Sequence, residues 1–561
     1  MFIRVKKNGG HEYLQLVSTH RVDGRVRQRV IGTLGRRDLL EASGALVGVM
    51  ASLGKFTRHA AVLADHRAGK TELLSTRSLG PDLVFGRLWE QLGIGQVLKA
   101  MLRGRRFGFA VERAVFLTVL HRLMAPASGT SDRAAEKWKQ DMVIPGVEGL
   151  DLQHLYRAMA WLGGELAGSQ QADATPFSPR CTKDLIEEAL FARRRHLFTS
   201  LSLAFFDTTS LYFEGKGGAT LGRHGHNKDH RPDLKQMVVG MVLSNEGRPV
   251  CSELWPGNTT DVKTLLPVVK RLERRFGISE VCVVADRGMI SDATIAELES
   301  KHPRLKYILG ARLRSDHEVR DTVLGWPGRF QEVHGPREHS KSPSPLSVKD
   351  VRFTADGRDR RYVVCHNLEQ AAKDRADREA IVAALEDQLR KGAKSLVGNR
   401  GYRKYVTCEG RGFAIDRRKV QEEERFDGKW VLRTNWWSPP AADVALRYKD
   451  LWMVEAIFRA TKTILETRPI YHKCDETIRG HVFCSFLALV LMKELQHRVA
   501  DRGLVLEWPD VLRDLEALRV ARLRSGASLC ELRSTPQGVA GAVLQAVGVA
   551  LGPSLRILDE Q

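Results

Sequence analysis

The order of apolar and polar positions changes character several times along the chain. EYLQLVSTHRV and RVRQRVIGTL read as paired strands, with Asp23 and Gly24 between them as a hairpin turn signal. From about residue 80 to 195 the pattern is helical: DLVFGRLWEQLG, AVERAVFLTVLHRLM and LQHLYRAMAWLGGEL repeat apolar residues at three-to-four spacing. Between 200 and 312 the rhythm shortens. SLAFFDTTSLYF, KQMVVGMVLS and PVCSELWPG predict three strands, VKTLLPVVKRLERRFG an amphipathic helix, EVCVVADRG a short buried strand, DATIAELESKH a helix and LKYILGARL a last strand, in the order β-β-β-α-β-α-β. Residues 313–440 interrupt this with a Ser/Pro-rich basic loop (His339 to Pro345), a charged helix (Asp374 to Arg390) and the strands RRYVVCHN, GFAIDR and GKWVLRTN. Helix returns at ALRYKDLWMVEAIFRATKTIL and in the apolar HVFCSFLALVLMKELQHRV, followed by a mixed helical tail.

The pattern predicts a β-hairpin region over 1–75, a helical region over 76–198, a first α/β part over 199–312, a β-rich insertion over 313–440, a second α/β part over 441–500 and a C-terminal helical region over 501–561. No internal repeat is evident.

Charge narrows the class of partner. The chain carries 88 Lys+Arg against 67 Asp+Glu, a formal net charge of +21. Such a surplus points to a polyanion, because cationic side chains displace the counterions condensed on nucleic acid. The eight cysteines form no C-x-x-C pair, which argues against a zinc finger or a redox dithiol. The start, MFIRVKKNGG, lacks the apolar stretch of a signal peptide, and the apolar run Cys484 to Met492 is too short to span a bilayer. The expected location is the cytoplasm, on the nucleoid when bound to DNA, with no membrane partner.

Two carboxylates stand out. Asp207 and Asp286 each follow an apolar strand, AFF and CVVA, and each precedes small or turn-forming residues. A carboxylate in that position costs desolvation energy unless paired or metal-bound. Either alone reads equally well as an ordinary strand-end cap. Together, in a β-β-β-α-β-α-β segment, they fit a ribonuclease H-like mixed sheet whose first and fourth strands lie side by side. Two carboxylates a few Å apart repel and need cations, and a pair of Mg²⁺ ions with a third carboxylate would suit phosphoryl transfer. Glu455 is the candidate third, on a predicted helix whose Tyr448, Trp452, Arg459 and Lys462 share its face at 3.6 residues per turn. Spacing alone fits equally a surface helix with a routine Glu455–Arg459 ion pair.

These residues carry a resemblance. The chain resembles bacterial insertion-sequence transposases of the DDE type, in the group whose ribonuclease H-like core holds a β-rich insertion before the last acidic residue. The matching elements are FFDTTSLYFEG, VVADRGM, GKWVLRTN and YKDLWMVEAIFRATK, followed by RPIYH and GHVFCSFLAL. Tyr448, Glu455 and Lys462 fill the first, third and fourth places of the group's Y-x2-R-x3-E-x6-K motif, and Leu451 stands where the motif has Arg. Lys449 and Arg459 are candidate substitutes for that contact.

The resemblance implies that Asp207, Asp286 and Glu455 bind two Mg²⁺ (Mn²⁺ as the alternative). Water would then cleave the element end, and the freed 3′-OH would attack target DNA. It implies that Tyr448 and Lys462 grip phosphate, with Arg459 a candidate for the missing arginine's contact and Arg287, beside Asp286, either contacting phosphate or neutralising the site. Trp452 stands where some members stack an aromatic on a displaced base, with core packing as the competing reading. The partners implied are double-stranded DNA, both transposon ends and target, and a second copy of the chain in a synaptic homodimer. End binding is expected from the helices between 80 and 195. The competing functions are a ribonuclease H-like nuclease without strand transfer and an inactive, transposase-derived DNA-binding protein. His224 and His226, in RHGHNKDHRP, read as a solvated or DNA-facing loop rather than a metal site.

Overall fold

The computed structural model describes the chain except residues 23–24, 55–67, 125–130, 173, 175–177, 196–202, 226–230, 279–280, 334–345, 392–403, 410–411, 464, 466, 526–527 and 559–561. The hairpin turn at 23–24, the Ser/Pro-rich loop and His226 lie outside the described residues. Two compact units form. One comprises Met1–Val84, Gln140–Val143 and Val505–Gln561, and the other Phe85–Lys139 and Ile144–Leu504.

The first unit holds two sheets. β1 (Phe2–Asn8), β2 (His11–Val22) and β3 (Arg25–Arg36) form an antiparallel sheet in that order. Leu14 and Val17 are its buried apolar residues, while Ile3, Val5, Val26, Val30 and Ile31 are exposed. The second sheet joins β4 (Thr71–Ser78) to Arg519–Ser525, Ser528–Arg533 and Leu555–Leu558. The helical tail expected over 501–561 is thus only partly helical. Trp508–Ala517 and Ala540–Ala546 are helices, but strands lie between and after them. RVARLRS and SLCELR alternate side chains in a strand-compatible way, and pairing with β4, more than 400 residues earlier, decides the outcome.

The second unit is built on a nine-stranded mixed sheet. Among the helices that precede it are α1 (Val111–Met124), α2 (Asp132–Trp138), α3 (Leu152–Leu162) and α4 (Thr182–Arg193). The sheet begins with β5 (Leu203–Tyr212), β6 (Gln236–Ser244) and β7 (Pro249–Pro256), continues through α5 (Leu265–Phe276), β8 (Cys282–Ala285), α6 (Asp292–Lys301) and β9 (Lys306–Gly310), and then enters the predicted insertion. That insertion contributes β10 (Gln331–Val333), β11 (Leu346–Ala355), β12 (Arg358–Asn367), helix α7 (Leu368–Arg390), the separate pair β13 (Val406–Glu409) and β14 (Gly412–Ile415), and β15 (Lys429–Thr434). The insertion is not a module apart. The strand order β10-β11-β12-β15-β9-β8-β5-β6-β7 shows four of its strands extending the central sheet beyond β9.

Every residue of β6, β7 and β8 is buried, so both faces of the sheet are covered. On one face, Ala204 and Phe206 of β5 pack with Val268, Val269 and Leu272 of α5 and Ile295 and Leu298 of α6. On the other, Leu211 of β5 packs with Ile478 and Val482 of a long helix introduced below. Burying Phe206 alone contributes about 1.5–3 kcal/mol. α5 ends where Gly277 takes φ +66°, a left-handed conformation that a glycine adopts without Cβ strain.

The chain then forms α8 (Ala441–Lys449), α9 (Trp452–Thr463) and α10 (Asp475–Ala500). α10 is buried through most of its length and packs against α1 and α3. Among the described residues no helix is long and apolar enough to cross a membrane.

Candidate active site

The sheet register brings the two aspartates together. β5 and β8 run parallel, pairing Leu203 with Cys282 and so on to Phe206 with Ala285. The next residue in the chain after each of this last pair is Asp207 on β5 and Asp286 just past β8. β8 stops at Ala285, whereas β5 continues to Tyr212 against β6 alone. Asp207 is therefore inside its strand and not at its end, because TTSLY carries strand-forming side chains that still find a partner in β6. Both aspartates are half-buried. Asp207 Oδ1 accepts from the Thr208 amide at 2.7 Å.

Tyr448, at the end of α8, is coupled to both carboxylates. Its hydroxyl donates to Asp286 Oδ1 at 3.0 Å. Burial first, then the charge and hydrogen bond of Asp286, and more weakly the charge of Asp207, push its phenol well above the ordinary range, so it stays protonated and donates. The close approach depends on Gly310 at the end of β9. A Cβ there would lie 2.5 Å from the Tyr448 hydroxyl and 2.9 Å from the Arg287 amide. The glycine of GARLRS has a packing role that its sequence context does not disclose.

Glu455 sits in the first turn of α9, which packs on β5 and β6. The chain leaving α9 is tied to the end of β5: Ile470 N–H donates to Tyr212 O at 3.2 Å, and Glu214 N–H donates to Ile470 O at 3.0 Å. Asp207 has the strand parity of Leu211, whose face is covered by the elements following α9. Val454, Ile457 and Phe458 are buried, while Trp452, Glu455 and Arg459 are exposed and Lys462 half-exposed. Among the described residues Glu455 has no hydrogen-bond or ion-pair partner, and the alternative Glu455–Arg459 pair does not form. Trp452 is 53% exposed, which removes the core-packing reading.

Contrary to the spacing-based expectation, Tyr448 and Glu455 do not share a single helix, because the chain breaks at Asp450 and Leu451 between α8 and α9. Leu451, in the place of the motif's Arg, is buried. Lys449 and Arg287 are exposed.

A further carboxylate, which the sequence pattern does not single out, adjoins the pair. Asp261, in the turn before α5, accepts from Thr208 Oγ1 at 2.7 Å. A Cβ on Gly288 would lie 3.1 Å from its Oδ2, so this side chain reaches from the residue after Asp207 to the turn after Asp286. Its signal in the sequence, an Asp in the G-N-T-T-D turn between strand and amphipathic helix, is that of an ordinary helix-start residue. Arg312 Nε also donates to the Arg287 carbonyl at 3.5 Å, adding a guanidinium to this edge.

Elsewhere in this unit, Asp132, His472 and His481 hold ligand atoms within 4.8 Å of one another. His481 Nε2 donates to Thr467 O at 3.1 Å, and burial, aided by Arg122 and His472, keeps the ring neutral with its pKa well below the usual value. Its bare Nδ1 accepts from Arg122 Nη2 at 2.8 Å. The guanidinium thus takes the lone pair a metal would need, and the cluster ties α1, α2 and α10 together. His224 is exposed, as a solvated loop requires.

The oxygen-only set of Asp207, Asp286 and Glu455 suits a hard divalent cation better than a soft one. Residues 199–491, over half the chain, match the family model "Transposase DDE domain", and residues 3–64 match "IS1634 family transposase, N-terminal domain". DDE transposase domains generally use divalent metal ions. Nothing among the curated proteins matches the chain. A solved structure of the piggyBac transposase synaptic complex with hairpin DNA is similar at 9% identity over 78% of each chain with a TM-score of 0.37, too distant to carry weight. By its two family matches, the chain belongs to the insertion-sequence DDE transposases and is a DNA transposase.

Proposed function

We propose that Asp207, Asp286 and Glu455 form the divalent-metal site of this transposase, that the ion is Mg²⁺, and that the site cleaves element ends and joins them to target DNA. The observation that carries this reading is the parallel β5–β8 register, which sets Asp207 beside Asp286, with Tyr448 donating to one and sensing the other. Glu455 on the neighbouring α9, without a partner among the described residues, supplies the third carboxylate.

Bound among these carboxylates, divalent ions would activate the attacking oxygen and stabilise the leaving one in an in-line displacement. Tyr448 holds the Asp286 carboxylate in one orientation through its hydroxyl. Asp261 fixes Thr208, and through it the backbone that presents Asp207. Arg459, Lys462 and Arg287 offset phosphate charge, with Lys462 acting as a point charge and the arginines able to bind in a fork. The exposed indole of Trp452 offers a stacking platform for an unpaired base. Synapsis of two ends calls for a homodimer.

Asp207→Asn, Asp286→Asn and Glu455→Gln should each abolish cleavage of an end-containing duplex in Mg²⁺ while duplex binding persists. Retained cleavage in any one removes that residue from the site. If the wild-type chain cuts but never joins a cut end to a second duplex, the nuclease reading replaces this one.

A further inference from the structure

The helices between 80 and 195 are the sequence-based candidates for DNA binding. α1 is buried along nearly its whole length, which leaves it no face for DNA. The N-terminal sheet is built in the opposite way. β1 begins at Phe2, which pairs with Val17, and does not reach past that point on β2. Beyond it β2 and β3 continue alone, pairing Ser18 with Arg29, Thr19 with Gln28, His20 with Arg27, Arg21 with Val26 and Val22 with Arg25. This is a two-stranded antiparallel ribbon roughly 17 Å long at about 3.4 Å per residue.

Its chemistry is one-sided. Asp23 is the one acidic residue in the sequence between Glu12 and Asp38. Arg27 and Arg29 alternate onto one face beside His20, and Arg21 stands on the other. All three arginines are exposed, and among the described residues none has an ion-pair partner. Many arginines elsewhere in the chain are paired, as Arg36 is with Asp38 and Arg37 with Glu12 and Glu41. Guanidinium groups left without carboxylates on an exposed ribbon are poised for an anionic partner. A two-stranded ribbon also fits the roughly 12 Å major groove of B-DNA.

We propose that this β2–β3 ribbon is a duplex-DNA-binding arm that enters the major groove and holds phosphate or base edges through Arg21, Arg27 and Arg29. The proposal rests on the transposase reading for the identity of the polyanion, but not on the metal site. The same arginines would suit any duplex approached by its groove, so the assignment is to double-stranded DNA and not to a particular sequence.

The test uses the full-length chain and a fluorescently labelled duplex of arbitrary sequence, about four helical turns long, with affinity measured across a series of salt concentrations. Each phosphate that is no longer neutralised lowers the magnitude of the log-affinity against log-salt slope by about 0.9. R21Q/R27Q/R29Q should therefore flatten the slope by up to about 2.7 and weaken binding at low salt by more than about tenfold, with the thermal melting curve unchanged. Lys substitutions at the same positions should restore most of the slope. A control, K373Q/R375Q/R390Q on α7, removes the same charge from three exposed helix positions and should leave the slope nearly intact. An unaltered slope in the ribbon variant overturns the proposal, as does an equal flattening in the α7 control, which would reduce the effect to net charge. Failure of the wild-type chain to bind duplex at all would instead count against the transposase reading.

Discussion

The β1–β3 sheet and the β5–β8 portion of the central sheet use similar strands to opposite ends. In the central sheet, β6, β7 and β8 are buried on both faces, and two carboxylates are held side by side by a register that cannot slip without turning core residues outward. In the N-terminal sheet, apolar residues such as Val26, Val30 and Ile31 are exposed, and the outer ribbon carries arginines with no ion-pair partner among the described residues. Burial gives the first rigidity sufficient to hold like charges together. Exposure gives the second a surface that only a partner would cover.

The contrast can be broken in several places. Largest is the core beneath the aspartates: Phe206→Ala should cost about 3–5 kcal/mol in chemical denaturation, because the ring fills space between β5 and α5. A cost below about 1 kcal/mol would show that the sheet is not the rigid support described.

Next comes the support of the carboxylates. Tyr448→Phe removes the hydroxyl that donates to Asp286, and Thr208→Val removes the donor to Asp261. Each should lower metal affinity or cleavage by about 10–100-fold, as removal of an outer-shell partner does. Thr208→Ser should restore most of it. Unchanged metal titrations would leave Tyr448 and Asp261 as packing groups.

A smaller effect concerns pH. His481 is held neutral by burial, so its folded pKa lies below its unfolded value near 6.5. The unfolded chain then takes up a proton that the folded chain does not, and stability present above about pH 6.5 falls as pH drops below it. Arg122, His472 and Asp132 face this ring, and the sign rests on Arg122 staying charged beside it. Melting temperature should decline from about pH 7.5 to about pH 5.5, and less so in His481→Gln. A melting temperature that rises over that range would contradict the neutral assignment. Smallest of all, Ile31→Ser in the exposed sheet should change stability by no more than about 0.5 kcal/mol, and a larger drop would mean that the sheet is more covered than its exposure indicates.

Much of the central sheet was legible because its strands are short, apolar and separated by amphipathic helices, so that the β-β-β-α-β-α-β order could be read and the adjacency of β5 and β8 inferred. The span of β5 is legible too, since SLAFFDTTSLYF reads as one strand, but the place of Asp207 inside it is not, because only the pairing of residues 208–212 with β6 carries the strand past it. The break between α8 and α9 was hidden for a related reason. YKDLWMVE keeps helical spacing across Asp450 and Leu451, where three-residue turns such as Leu451 N–H to Tyr448 O replace the helical bonds. The C-terminal strands depended on β4, hundreds of residues away. The importance of Asp261 lies in whom it touches, Thr208 and the Gly288 turn, and proximity across sequence leaves no local mark.

Whether Glu455 shares a metal with the two aspartates decides the assignment of the site. Glu455→Cys tests this directly, because a thiolate is a poor ligand for Mg²⁺ and a better one for Mn²⁺. Cleavage of an end-containing duplex should be lost in Mg²⁺ and partly recovered in Mn²⁺, while a Glu455→Ala control stays inactive in both. Full activity of Glu455→Cys in Mg²⁺, or recovery of Glu455→Ala in Mn²⁺ to the same degree, would contradict a metal-binding role for Glu455.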